Sequence, residues 1–138
     1  MNSIVRVLAT LALSLAASGA WAQEKVVYHF DSGLEQATKG LRNISNHLEV
    51  DPKAKIIAVT HADGVDFLME GAKDRLGPFD ARVQELMSRG VKFQVCEITM
   101  RIRKLKKEEF IIGAEFVPSG VVQIAHLQQK EGYAYLKP

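Results

Sequence analysis

The chain is punctuated by short β-branched apolar runs, each of strand length, and most of the intervals between them carry helical periodicity. Strands separated by helical stretches of about 10–15 residues imply right-handed βαβ crossovers, and hence a parallel sheet covered by helices. Lys25–Phe30 is the first such run, and Lys55–Thr60, nearly all apolar, is the second and reads as a strand buried on both faces. Val91–Val95 is the third, Phe116–Val117 a short fourth closed by Pro118, and Tyr133–Leu136 a fifth.

Between them, Leu34, Ala37, Leu41, Ile44 and Leu48 recur at three- and four-residue steps and form one helical stripe. Ser32 and Glu35 have the spacing of a capping box at its start, and Asp51-Pro52 ends it. Val65, Leu68 and Met69 predict a single helical turn, and 71–78 reads as irregular. A helix is expected from Phe79 to Arg89 with Phe79, Val83, Leu86 and Met87 inward and Gly90 as its stop. Ile98, Ile102 and Leu105 predict an apolar stripe on a basic helix after Cys96. A last helix, capped by Ser119 and running to Gln129, should bury Val121, Ile124, Ala125 and Leu127 before Gly132 stops it.

The amino terminus reads differently. Arg6 precedes an apolar stretch, Val7–Ala17, and Ala20-Trp21-Ala22 has small residues where a signal peptidase reads. Residues 1–22 are therefore expected to be a cleaved export signal, leaving one domain, 23–138, in the periplasm of a diderm bacterium. The apolar stretch is shorter than the roughly 20 residues that span a bilayer, so no stable membrane insertion is expected after cleavage. A formal net charge of +2 is too small a field to make nucleic acid the main partner. The single cysteine excludes an internal disulfide, a Cys-x-x-Cys pair and a Cys-rich zinc site.

In a parallel sheet the residues that meet ligands follow the carboxyl ends of the strands. Here these are Asp31 and Ser32, His61 and Asp63, Cys96 to Thr99, and Pro118 to Gly120. Cys96 stands where a strand ends and a helix begins, beside unsatisfied amides that favour a thiolate, the nucleophilic form of the residue. Its alternative role is that of a small buried hydrophobe. Of the four histidines, His61 is the best placed; His29, inside the first strand, reads as a hydrogen-bonded core residue, and His47 and His126 as solvated. His61, Asp63 and Asp66 form too weak a set of ligands to assign a metal, and no cofactor is expected. Arg101 and Arg103 could lean toward an anionic sulfur, or the basic run from Arg101 to Lys107 could dock an acidic partner. Ser119 and Gly120 open another helix at the same edge, as a plain cap or as an anion cradle.

Three segments carry a resemblance: Gly90–Thr99, in which Cys96 follows the third strand, the Val117-Pro118-Ser119-Gly120 turn, and the Gly132-Tyr133-Ala134-Tyr135 ending. The chain resembles the DsrE/DsrF-like family, and more closely its single-domain exported members. The resemblance implies a three-layer α/β/α fold with a five-stranded parallel sheet and homo-oligomers such as trimers or hexamers. It also implies a sulfurtransferase-like sulfur carrier, in which Cys96 holds sulfane sulfur as a persulfide. Partners would be a sulfur donor or acceptor protein, or a small sulfur compound. Thr99, Arg101, His61, Ser119 and Gly120 are the residues expected to line the ligand. Two other readings stand beside this one. The first is a non-catalytic oligomeric module that binds a small anion or a partner with Cys96 inert; the second is a thiol sensor.

Overall fold

A computed structural model describes residues 22–138. The expected export segment, apart from Ala22, lies outside the described residues. Strands β1 (Lys25–Phe30), β2 (Lys55–Thr60), β5 (Lys92–Cys96), β6 (Glu115–Val117) and β7 (Ala134–Leu136) form one sheet in the order β6-β5-β2-β1-β7, and all neighbours are parallel. The helices are α1 (Gly33–Val50), α2 (Phe79–Ser88), α3 (Glu97–Arg103) and α4 (Gly120–Glu131). The α/β architecture is the one the alternation predicts.

The strand order explains how the helices are distributed. From β1 through β2 and β5 to β6 the chain steps in one direction, so right-handed crossovers put α1, α2 and α3 on one face. From β6 it returns to the far side of β1, and the same handedness sends α4 to the other face. Core composition follows. Val26, Tyr28 and Phe30 of β1 and Val91, Phe93 and Val95 around β5 pack with Leu41, Ile44 and Leu48 of α1, Val83 and Leu86 of α2, and Met100 of α3. Phe67 is the hub of this face, with its ring centroid 5.1 Å from Phe30, 5.9 Å from Phe79 and 6.1 Å from Phe93. The α4 face holds a smaller cluster of Val27, Ile57, Val59, Ile124, Leu127 and Tyr133.

Several local expectations need correction. The capping box does not form: Ser32 Oγ donates instead to Asp31 Oδ1 at 2.7 Å, a charged and therefore stronger acceptor, and Gln36 Oε1 accepts from the amides of Asp31 and Ser32, each at 2.8 Å. The turn expected around Val65 is a longer 3-10 segment, Ala62–Leu68. It packs closely because Gly64 lets its backbone sit against the carbonyl of Phe30, where a Cβ would collide. The segment expected to be irregular contains a small antiparallel ribbon, β3 (Lys73–Asp74) with β4 (Gly77–Pro78).

On α3 the buried residues are Thr99 and Met100, while Ile98 and Ile102 of the expected stripe are exposed. The helix is only seven residues long and is closed by Lys104 in the left-handed region, so its exit from β5 and the Met100 anchor set its rotation. On α4, Ile124 and Leu127 are buried but Val121 and Ala125 are not, because a lone helix on a broad sheet touches it along a narrow stripe. His47 is half-buried rather than solvated, with its Nδ1 3.0 Å from the hydroxyl of Tyr28.

Candidate functional site

Period-two alternation along the strands decides which chemistry shares a face. With Val26, Tyr28 and Phe30 committed to the larger core, His29 projects toward the α4 side. In β5 the same rule separates Phe93 and Val95 from Gln94 and Cys96. The less crowded face therefore carries the polar and reactive groups. Gln94, itself buried, donates from Nε2 to Glu115 Oε2 at 2.9 Å, and its Oε1 accepts from Gln123 Nε2 at 3.0 Å.

Cys96 lies at the point where the connections diverge. The chain leaving β5 enters α3 on one face, and the chain leaving the adjacent β6 enters α4 on the other, which is where ligands bind in sheets of this kind. Cys96 pairs with Val117 in the ladder, so both helix starts converge on its sulfur. The residue is 4% exposed. Burial pushes the thiol pKa up, but hydrogen bonds from the amides of Gly120, Thr99 and Ile98 and from the Thr99 hydroxyl outweigh it and leave the pKa below the ordinary thiol value. Donors from both helix starts thus shift the balance toward the thiolate.

Two of the expected ligand-lining residues, Thr99 and Gly120, are donors to this sulfur. Thr99 Oγ1 also accepts from the amide of Ala62 at 2.9 Å, joining α3 to the loop after β2. Gly120 is flanked by His61 and Cys96: a Cβ there would lie 3.1 Å from His61 Cβ and 3.4 Å from Cys96 Cβ. His61 therefore stands at the same edge as Cys96. Ser119 caps α4 by accepting from the amide of Val122 at 3.4 Å. Arg101 is exposed on α3 and has no ion-pair partner among the described residues. Arg103 does not lean toward the sulfur. It is held by Asp66 at 2.7 Å and by the carbonyl of Ala62 at 3.2 Å, which are nearer acceptors.

A second group was missed by the sequence reading. His29 Nε2 and His61 Nε2 face one another at 2.7 Å, and His29 Nδ1 is 2.6 Å from the hydroxyl of Tyr135 on β7. Asp31 closes the group, with Oδ2 2.7 Å from Lys137 Nζ. Desolvation lowers the pKa of His29, and the neighbouring His61 and Lys137 lower it further against the opposing pull of Asp31. The hydrogen bond from Lys137 holds Asp31 well below the ordinary carboxylate range. Across the sheet edge the order is Cys96 on β5, His61 after β2, His29 on β1 and Tyr135 on β7. The signal that could have exposed His29 is its place two residues before Asp31, which sets both side chains on one face of an extended segment.

The sequence profile of the DsrE/DsrF-like family matches residues 5–138. The chain belongs to this family. Membership suggests sulfur relay in general. Among solved structures, the chain is similar to the protein of unknown function MTH1491 from Methanobacterium thermoautotrophicum. The identity is 28% and the TM-score 0.76, covering 84% of this chain and 100% of that one. It is also similar to the ychN protein from E. coli, at 18% identity and a TM-score of 0.68, covering 84% of this chain and 99% of that one; this likeness concerns the fold alone. No curated protein sequence matches the chain. The five-stranded parallel sheet with its helices is the fold of these DsrE-like neighbours. Among the described residues, no helix is long and apolar enough to cross a membrane.

Proposed function

We propose that this DsrE/DsrF-like protein is a sulfur carrier in which Cys96 accepts sulfane sulfur and holds it as a persulfide. The observation that carries the reading is the convergence of the Gly120, Thr99 and Ile98 amides and the Thr99 hydroxyl on one sulfur. The Cys96 thiolate attacks the terminal sulfur of a polysulfide chain. A Cys96–S–S⁻ bond forms, one S–S bond of the donor breaks, and the shortened polysulfide leaves with the electron pair. The same donors that hold the thiolate then hold the persulfide anion. An acceptor thiolate takes the outer sulfur by the reverse displacement. With one cysteine in the chain, the acceptor must be another molecule.

The working compartment in this proposal is the periplasm, reached through cleavage of residues 1–22, and the working form is a homo-oligomer, a trimer or hexamer. The oligomer is supported by an apolar set left open on the α3 and α4 helices, with Ile102 74%, Val122 64% and Val121 58% exposed. Burial of Cys96 favours a second reading, a small-anion or partner-binding module with an inert thiol. Intact-mass measurement after exposure to polysulfide separates the two. The carrier gains one sulfur, about 32 Da, and Cys96→Ala does not. Absence of that gain, with a native thiol that resists alkylation until the protein unfolds, retires the carrier and leaves the module.

A further inference from the structure

We propose that His29, His61 and Asp31 form a binding site for a divalent transition-metal ion of the zinc class, separate from the Cys96 sulfur. One ligand atom from each of the three half-buried residues lies within 4.8 Å of the other two. They come from two neighbouring strand ends: His29 and Asp31 from β1 and the residue that follows it, and His61 from the residue after β2. Two imidazoles and one carboxylate are a donor set that suits zinc and its neighbours in the first transition row, with a position left for water or a small anion.

The geometry of the two rings adds to this. The ring centroids are 4.8 Å apart and the planes are inclined by only 26°, so the Nε2 atoms meet nearly head-on at 2.7 Å. Only one of them can carry the hydrogen between them, and an ion bound by both nitrogens would replace that proton. Zinc–nitrogen bonds of about 2.0–2.1 Å require the nitrogens to part by roughly half an ångström or more, a small rotation for side chains at strand ends. The Tyr135 hydroxyl at 2.6 Å from His29 Nδ1 occupies the place of the outer partner that fixes the tautomer and orientation of a ligating histidine. Lys137 opposes the ion, because its ammonium group already pairs with Asp31 at 2.7 Å.

Titration of the purified protein with Co²⁺, followed by its visible absorption, tests the site. One ion per chain is expected, with ligand-field bands but no sulfur-to-cobalt charge transfer, and Zn²⁺ should displace it. His29→Gln and His61→Gln should each abolish this binding, Tyr135→Phe should weaken it about 10–100-fold, and Lys137→Met should tighten it. His126→Gln, an exposed histidine on α4, should leave it unchanged. In the unaltered protein, Zn²⁺ should shift the ring resonances of His29 and His61 ahead of those of His47 and His126, a readout that needs no variant to fold. Failure to bind one ion per chain, binding that survives loss of both His29 and His61, or a charge-transfer band lost in Cys96→Ala overturns the site. Polysulfide loading of Cys96 is read by mass and is independent of each of these outcomes.

Discussion

Among the described residues, one face of the sheet is covered by three helices and a 3-10 segment and is filled with aliphatic and aromatic side chains; the other is covered by α4 alone and carries Cys96, Gln94, His29 and Tyr135. The difference arises from the order in which strands are added. Three crossovers in one direction build a thick hydrophobic layer, and a single return crossover builds a thin one. The thick layer supplies the stability that lets the thin one hold groups contributing little to folding. Cys96 and the His29–His61 pair gather where the packing requirement is weakest.

The comparison can be broken most forcefully on the thick side. Phe67→Ala removes the ring at the centre of the aromatic cluster and should cost about 3–5 kcal/mol in urea denaturation. Val121→Ser, on the open side of α4, should change the stability of the subunit by less than about 0.5 kcal/mol. In the same variant, light scattering should report loss of the oligomer proposed above. Equal costs at the two positions would remove the distinction between the faces.

A smaller effect sharpens the comparison at the thiol. Thr99→Val deletes one donor to Cys96 and should raise its proton affinity, read as a shift of the alkylation profile to higher pH. The sign of the linked stability follows. A thiol whose folded pKa is depressed contributes fully above its unfolded value, and the contribution fades as pH falls through the folded pKa. Unfolding curves of the native protein should therefore gain stability relative to Cys96→Ala as pH rises through that window, and Thr99→Val should narrow the gain. Parallel curves for native and Cys96→Ala protein would show that the amides do not favour the thiolate.

The smallest expected effect is at the opposite end of the edge. Asp31 is held below the ordinary carboxylate range by Lys137, so its contribution is present above the unfolded pKa of an aspartate and is lost as pH falls toward the folded one. Asp31→Asn should flatten the acid limb of the stability profile and leave the alkylation rate of Cys96 unchanged. An acid limb that keeps its slope in this variant would assign the loss to other carboxylates, Asp74 among them. Burial pushes the Asp74 carboxyl up, but the Thr38 hydroxyl, Arg82 and the Leu76 amide outweigh it and bring the pKa down to about 2.

Much of the fold was legible because the strands and the long helices α1 and α2 are written in strong periodicity. Leu41, Ile44 and Leu48 are buried where the stripe put them, and Lys25–Phe30 and Lys55–Thr60 are the strands it proposed. Shorter elements failed where tertiary contacts set their rotation: Ile98 and Ile102 kept helical spacing but face outward, since the buried Thr99 and Met100 anchor the seven-residue α3. At the site, sequence position placed Cys96 beside a helix start. It could not show that a second helix start, at Gly120, arrives from the neighbouring strand. His29 was read as a core residue because its partners, His61 and Tyr135, are 32 and 106 residues away along the chain.

Because α3 and α4 lie in opposite layers yet both reach Sγ, the acidity of that sulfur is a gauge of interlayer shear. Sliding α4 along the sheet by a few tenths of an ångström would carry the Gly120 N–H with it while Thr99 and Ile98 stayed behind, changing thiolate occupancy without touching the sulfur. Among the described residues no second helix braces α4 on its side of the sheet, so such a displacement would be opposed by the small cluster beneath it.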